Sequence, residues 1–526
     1  MPRSKSENRI VPQSQRKLVP SQVAEPLGGG KAVPVEGVDP QLELALATAA
    51  NPGASPGVRS DEETDLSASV SKRVPKAKVK REQGGPVTME EVAKRLETAF
   101  EKVAANQGAA GPDGLSIDEV RESLPVLLAR LRPALLDGTY APGDIRRVWI
   151  PKAGGGERGL GIPNVVDRMV QEAVRAVFEP LYEPTFHPSS HGFRPGRGCP
   201  TAIAEARGYI DEGHTWVVDI DLEKFFDRVH HQRLLARLAQ RVEDKRLLAL
   251  IGRMLKAEVV MPDGVKTSTE EGVPQGGPLS PLLSNIVLDE LDHELGRRGH
   301  RFVRYADDCN IYVRSERAGQ RVMESVTRFI EGRLRLKVNA AKSAVARPET
   351  RHFLGFRLWP SAGKASKVLL SKRSETRLKE RIKELTPRNA GRSLGAIIER
   401  LNGYLSGWFG FFKLCSSVMS GFLKGMDAHI RRRLRAIVLS HWKTKRTMVR
   451  RLIGLGVHPQ NAWGTASSGR KSRWVLSHHP TVERGLGNAF FARQGFTTIV
   501  ERFTPIWTAI VAPVQLTLLP ATTRSI

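Results

Sequence analysis

The feature that most constrains this sequence is a pair of adjacent acids between two short apolar runs. Asp307 and Asp308 lie between residues 301–304 and 311–313, a pattern typical of a β-hairpin whose tight turn presents two carboxylates. Adjacent like charges repel each other, and a divalent cation would neutralise both. An exposed Asp-Asp turn on the surface is the simpler interpretation. Only a partner elsewhere in the chain decides between the two.

A second predicted strand supplies that partner. Asp219 and Asp221 alternate with apolar residues in 216–222, so one face of the strand is apolar and the other carries two acids. Placed beside the hairpin, this strand would bring three carboxylates together. Such a group can hold two Mg²⁺ ions for phosphoryl transfer. The alternation leaves open whether Asp219 or Asp221 is the metal ligand.

Three motifs in chain order resemble the group II intron-encoded reverse transcriptases. They are Asp221 followed by Phe225-Phe226-Asp227, then GVPQGGPLSP at 272–281, then Tyr-Ala-Asp-Asp at 305–308. The resemblance is to the bacterial, endonuclease-less class, since no Cys follows Cys415 to complete a Cys-paired nuclease. It implies an α+β right-hand polymerase fold, with fingers and palm built on an antiparallel sheet. An α-helical thumb/maturase domain would follow.

The resemblance also implies roles for individual residues, and it selects Asp221 over Asp219. Two Mg²⁺ ions would be held by three catalytic carboxylates and one backbone carbonyl: Asp221, Asp307, Asp308 and Leu222. The incoming nucleotide would meet Lys152, Arg158, Arg168, Phe225 and Gln275; Phe225 equally suits a buried core position. Template and primer would meet Arg194, Arg197 and Lys342.

Positive charge is concentrated in the C-terminal third of the chain. The whole chain of 526 residues carries a net charge of +27, and residues 371–460 contain 20 Lys and Arg against 5 Asp and Glu. Each cation that neutralises a phosphate adds salt-sensitive affinity for nucleic acid. We therefore expect RNA to contact the basic clusters Arg431, Arg432, Arg433, Arg435, Lys443, Lys445, Arg446, Arg450 and Arg451.

Composition and the family resemblance together predict four segments. Residues 1–85 form a disordered extension rich in Pro, Gly, Ser and Ala, and 86–368 form the fingers and palm. Residues 369–460 form the thumb/maturase domain, and 461–526 a basic nucleic-acid-binding appendage and tail. No apolar run is long enough to span a membrane, and the three cysteines are scattered. We expect a protein of the bacterial cytosol, associated with the nucleoid.

The functional expectation is an RNA-directed DNA polymerase that adds deoxynucleotides to a primer 3′-hydroxyl on an RNA template. The family resemblance adds binding of group II intron RNA and of target DNA, in support of intron splicing and mobility. Two alternatives remain open from the sequence. One is a domesticated reverse transcriptase in phage defence or DNA repair, and the other is a catalytically inactive RNA-binding splicing factor.

Overall fold

A computed structural model describes residues 87–151, 156–361, 363–387, 391–468 and 472–511. The predicted extension 1–85, Lys152 and the tail beyond 511 lie outside the described residues. Among the helices that are described, none is both long and apolar enough to cross a bilayer.

The N-terminal part combines helices with a small mixed sheet, the fingers. Its helices begin at favourable caps: Thr88 accepts from the amide of Glu91, and Ser116 forms a reciprocal capping box with Glu119. The sheet order is β2-β1-β4-β5, with β1 and β2 antiparallel. The elements are α1 (Met89–Lys94), α2 (Leu96–Ala105), α3 (Ile117–Leu136), β1 (Ile145–Pro151), β2 (Glu157–Pro163), α4 (Val165–Tyr182), and, later in the chain, β4 (Val259–Val260) and β5 (Lys266–Thr267).

The palm is a four-stranded antiparallel sheet in the order β6-β7-β3-β8. Alternate residues of each strand enter two different hydrophobic cores. Val218 and Phe302 face one core, whereas Val217 and Val303 face the other. The elements are α5 (Cys199–Asp211), β3 (Trp216–Ile220), α6 (His231–Ala239), α7 (Lys245–Leu255), α8 (Ser280–Arg297), β6 (Arg301–Tyr305), β7 (Asp308–Val313), α9 (Glu316–Phe329) and β8 (Ala344–Ala346).

The C-terminal part is helical, as expected for a thumb. It starts with a two-stranded hairpin and continues through nine α-helices in the described part of the chain. They are β9 (Phe356–Trp359), β10 (Lys367–Leu370), α10 (Lys372–Leu385), α11 (Leu394–Phe412), α12 (Ser420–His441), α13 (Lys445–Gly454), α14 (Pro459–Ser467), α15 (Arg473–Leu476), α16 (Pro480–Gly485), α17 (Asn488–Arg493) and α18 (Ile499–Val511).

One hydrophobic core runs through this whole helical part. Phe491 and Phe503 are fully buried in the same core as Leu401 and Leu434, and α18 packs against α11 and α12. The boundary predicted at 460 therefore does not coincide with a break in the core. The helices between 459 and 511 pack into the same core as the preceding helices, and their role as a nucleic-acid-binding appendage stays a prediction.

Candidate active site

The Asp-Asp hairpin has the predicted geometry. Tyr305 pairs with Asp308 at the end of the β6–β7 ladder, which leaves Ala306 and Asp307 as a two-residue turn. Ala306 has a φ of 56°, in the left-handed region that non-glycine residues seldom adopt. The turn is thus a strained one, and the surrounding structure must hold it in place.

The end of β3 lies beside this turn. Ile220 pairs with Cys309, so the next step along the two strands brings Asp221 towards Asp308. Both acids line a cavity of about 330 Å³. The backbone of Asp221 is fixed from the other side, since its amide donates to Ser343 Oγ (3.0 Å) and its carbonyl accepts from the Asn339 amide (2.8 Å). Leu222, whose carbonyl is the predicted metal ligand, is buried in the core.

The two candidate metal ligands, Asp219 in β3 and Asp221 directly after it, have different surroundings in the structure. Asp219 Oδ2 accepts hydrogen bonds from Arg351 Nε (2.8 Å) and Nη2 (2.5 Å). Burial raises the pKa of Asp219 above its ordinary value, and the Arg351 guanidinium opposes that shift. Asp221 instead faces Lys342, whose Nζ lies 3.5 Å from Oδ2 and whose side chain is 67% exposed. An exposed lysine with one long contact is displaced more readily than a half-buried guanidinium that donates two hydrogen bonds, so the geometry favours Asp221 as the ligand.

The oxygen donors around this cavity suit a hard divalent cation. Carboxylates of Asp221 and Asp308 line one cavity, and Mg²⁺ is bound through one or two carboxylates together with substrate phosphates. Within the described ranges, no three His, Cys, Asp or Glu side chains form a complete metal cluster.

Two of the predicted nucleotide contacts, Arg158 and Gln275, meet where β2 approaches the 272–281 loop. Arg158 Nε donates to Gln275 Oε1 (2.6 Å), and the Gly161 amide donates to the carbonyl of Gln275 (2.6 Å). This joins β2 to the 272–281 loop. Phe225 is 2% exposed and packs edge-on against Phe226, the buried core position that the sequence left open. Its contact with a nucleotide sugar stays a prediction.

Arg168 is less accessible to an incoming nucleotide than its predicted role requires. It is 8% exposed, and its Nη2 donates to the carbonyl of Ala109 (2.6 Å). The side chain runs beside Gly108, where an added Cβ would lie 2.3 Å from Arg168 Nη1. Arg168 therefore holds the 108–111 loop against α4. A direct grip on a triphosphate does not follow from this position.

The side chain of Arg194 is engaged within the protein, and its contact with template stays a prediction. Arg194 is buried, pairs with the Glu183 carboxylate (2.8 Å) and donates to the carbonyls of His187 and Ser190. The guanidinium thus stabilises the loop that contains Arg194 itself. Arg197 is half-buried and donates to the carbonyl of Pro188, so its contact with template stays a prediction.

Two residues of the first basic cluster on α12 are also not surface cations. Arg433 donates to Thr386 Oγ1 (2.5 Å) and to the Thr386 carbonyl (2.6 Å), and it is 7% exposed. Arg435 is equally buried and donates to the Ser477 carbonyl and Glu483. The two side chains tie α12 to its neighbours, and their contacts with RNA stay predictions.

The remaining basic residues stay accessible in whole or in part. Arg431 and Arg432 are half-buried, and the second cluster, around the start of α13, is exposed: Lys443, Lys445, Arg446, Arg450 and Arg451. Their contact with RNA stays a prediction.

Sequence reasoning missed the residue that organises the catalytic turn, Arg304. Its side chain is 0% exposed and pairs with the fully buried Asp292 through Nε (2.7 Å) and Nη2 (2.6 Å). Arg304 Nη1 also donates to the carbonyl of Ala306 (2.7 Å) and to Asn285 Oδ1 (3.1 Å). The sequence did contain a signal for this role, because Arg304 occupies an inward position of an apolar strand. Burying a charge there is costly unless the charge is paired.

A glycine on the neighbouring segment completes this support. Gly192 packs so closely on the turn that an added Cβ would lie 2.3 Å from the Ala306 amide nitrogen. Its carbonyl accepts from Asn285 Nδ2 (2.9 Å). Next to it, the buried His191 forms hydrogen bonds with Glu205 (2.6 Å) and Thr201 (2.8 Å).

Comparisons with known proteins agree with this architecture. Residues 150–358 match the family model for reverse transcriptase (RNA-dependent DNA polymerase), and 376–453 match the model for the group II intron maturase-specific domain. Protein YkfC of Escherichia coli is 34% identical over 287 residues, which cover 47% of this chain and 75% of YkfC. The group II intron-encoded protein LtrA of Lactococcus lactis is 35% identical over 195 residues, covering 37% of this chain and 32% of LtrA.

Among solved structures, a partial Cas6-RT-Cas1–Cas2 complex matches at 23% identity. The match covers 46% of this chain and 42% of that one, with a TM-score of 0.31, too low to add to the sequence matches. Reverse transcriptase domains generally use divalent metal ions, which agrees with the donors around the cavity. The two family models, in this order and over the domains described above, together with the coverage of YkfC, show that the chain belongs to the group II intron reverse transcriptase/maturase family.

Proposed function

We propose that the protein extends a DNA primer on an RNA template, using deoxynucleoside triphosphates and two Mg²⁺ ions. The observation that carries this proposal is the meeting of Asp221 and Asp308 around one cavity at the turn of the Asp-Asp hairpin. Asp307 follows the strained Ala306 in the same turn. Bound ions would offset charge developing on the attacking and leaving oxygens.

The protein's own residues position the reactants. Asp221, Asp307 and Asp308 provide the anionic site, and the exposed Lys342 offers a cation that a substrate phosphate can share with Asp221. The linked Arg158 and Gln275 stand where the fingers meet the palm, and an arginine fork suits a phosphate there.

We also propose that the thumb binds group II intron RNA, in support of splicing, and that target DNA is a further partner during mobility. This part rests on the maturase-specific match and on the exposed cations of α13. Neutralising phosphates is a binding function and requires none of the palm carboxylates. The proposed setting is the bacterial cytosol.

The test separates the two activities. The double variant Asp307→Ala, Asp308→Ala should lose cDNA synthesis on a primed RNA template while binding intron RNA as tightly as the parent. Asp118→Ala, Glu122→Ala, which removes two exposed acids from the outer face of α3, is the matched control and should keep both activities. Continued synthesis by the palm variant would disprove the catalytic assignment. Simultaneous loss of RNA binding would disprove the separation of the two functions.

A further inference from the structure

A second cavity lies in the thumb, away from the palm carboxylates. It is a groove of about 640 Å³ between α10 and α12, closed at one side by Trp474. Its lining includes Lys379, Lys383, Phe422 and His429. At 100° per residue, these two lysines lie roughly 120° around α10 from Arg373 and Arg377, which line the palm cavity. The groove is therefore a separate site on the opposite flank of the helix.

Cations lie against two of the aromatic rings that line this groove. Lys379 Nζ lies 5.5 Å from the centre of the Phe422 ring, and the Arg432 guanidinium lies 4.1 Å above the Trp474 ring. His429 meets Trp474 edge-on with ring centres 6.2 Å apart. Rings that stack on bases, combined with cations that track a backbone, are the features that bind single-stranded nucleic acid.

The local charge is positive. One acid, Glu380, lines the groove alongside Lys379, Lys383 and Arg433. Burial lowers the pKa of His429, and the neighbouring Arg433, Arg432 and Lys379 lower it further. At neutral pH, His429 is thus an uncharged ring within a cationic setting, suited to lie against a base while the lysines meet its phosphate.

Two glycines leave the wall of the groove open. Gly421 and Gly425 line it from adjacent turns of α12, and nothing lies within 4 Å of a Cβ built on either one. The recess therefore admits a flat group up to the helix backbone. The bases of a duplex are stacked and paired, so only an unpaired base can enter a side-on recess of this kind.

We propose that this groove, the α10–α12 groove, binds an unpaired nucleotide of a nucleic acid, with its base against the rings and its phosphate at Lys379 and Lys383. The inference deepens the RNA-binding part of the proposed function and rests on it. An unpaired nucleotide can come from RNA or from DNA, and the test below includes both.

The test fills the groove while the helix remains intact. Gly425→Leu places a side chain in open space, and replacing a mid-helix glycine favours the helix. Gly425→Ala gains the same helix propensity with little bulk. Gly464→Leu, at an exposed glycine within α14 that also has open space, is the matched control outside the groove.

Full-length protein is titrated with hairpins that carry one bulged 2-aminopurine and with fully paired hairpins, each made in RNA and in DNA. The parent should bind a bulged hairpin more tightly than its paired partner by about tenfold, as expected for one stacked base. Gly425→Leu should abolish that preference, whereas Gly425→Ala and Gly464→Leu should retain it. If only the RNA hairpins or only the DNA hairpins show this preference, that result identifies which nucleic acid supplies the unpaired nucleotide.

Two results would overturn the inference: equal binding of bulged and paired hairpins by the parent in both arms, or an unchanged preference in Gly425→Leu. Primer extension and paired-RNA binding, measured on the parent in parallel, report on the proposed function itself. If the parent fails in those two assays, the polymerase and RNA-binding proposals fall. If only the bulge preference is missing, the groove proposal falls alone.

Discussion

The buried ion pair between Arg304 and Asp292 offers a sharp test of how the catalytic turn is held. We consider Arg304→Met, which keeps an unbranched side chain and removes the charge. Asp292, at 0% exposure, would then be a buried carboxylate without its partner. Removing one member of a buried pair costs about 3–5 kcal/mol of folding free energy. The Ala306 carbonyl would also lose its donor.

The same change should release the turn. A left-handed conformation costs an L-residue about 1–2 kcal/mol. A hydrogen bond from a charged donor, such as that from Arg304 to Ala306, contributes about 1.5–3 kcal/mol. Without that hydrogen bond, we expect the strained backbone of Ala306 to relax to another conformation and to move the adjacent Asp307 with it. A displacement near 1 Å at a reacting centre costs on the order of 10²-fold in rate.

A compensated variant separates stability from positioning. Arg304→Met, Asp292→Leu replaces the pair by apolar groups, an exchange that is often neutral for stability. We expect native-state hydrogen exchange of the β6 and β7 amides to show a loss of about 3–5 kcal/mol in the single variant and recovery in the double variant. Primer extension should stay about 10²-fold low in both, because neither supplies the donor to Ala306.

The control is Arg333→Met. Arg333 pairs with Glu290 at 2.9 Å, but its side chain is 69% exposed, and surface pairs contribute about 0–1 kcal/mol. Full activity in the stable double variant would refute the argument that Arg304 holds the turn. A stability loss in the Arg304→Met single variant as small as that of the control would refute the estimate for the buried pair.

Three further predictions use neighbouring features. Asp221→Asn should reduce the rate of primer extension by about 10⁴-fold. Asp219→Asn should reduce it far less, because the Asp219 carboxylate is already bonded to Arg351. Equal losses in the two variants would contradict the choice of Asp221. Gly192→Ala should abolish primer extension, because its Cβ would meet the backbone of the turn, and wild-type rates would show that the approach is not needed. Burial alone would raise the pKa of Glu205, but hydrogen bonds led by that from His191 hold it below the ordinary value. A lowered carboxylate pKa stabilises the fold above the unfolded-state value, near 4, and loses that contribution as pH falls through the folded value. Acid unfolding of Glu205→Gln should therefore show a smaller loss of stability below about pH 4 than the parent, and parallel curves would contradict this.

The local features of the active site could be predicted from sequence. The Asp-Asp turn, its flanking strands and the acid-bearing strand β3 depend on turn chemistry and on two-residue alternation, both properties of adjacent residues. The helical, basic thumb was equally visible in the charge and apolar spacing of residues 371–460. The order of the motifs was sufficient to identify the family.

The partner of each charge was decided only by the tertiary structure. Asp219 and Asp221 look alike in the sequence, and Arg351, more than a hundred residues later, neutralises one of them. Arg433 and Arg435 read as a surface cluster, yet α12 is packed on several sides at once, so one arginine reaches Thr386 and the other Glu483. A run of cations in the sequence shows that a helix is basic, but it does not show which face of the helix other elements cover. That depends on the packing of elements distant in the chain.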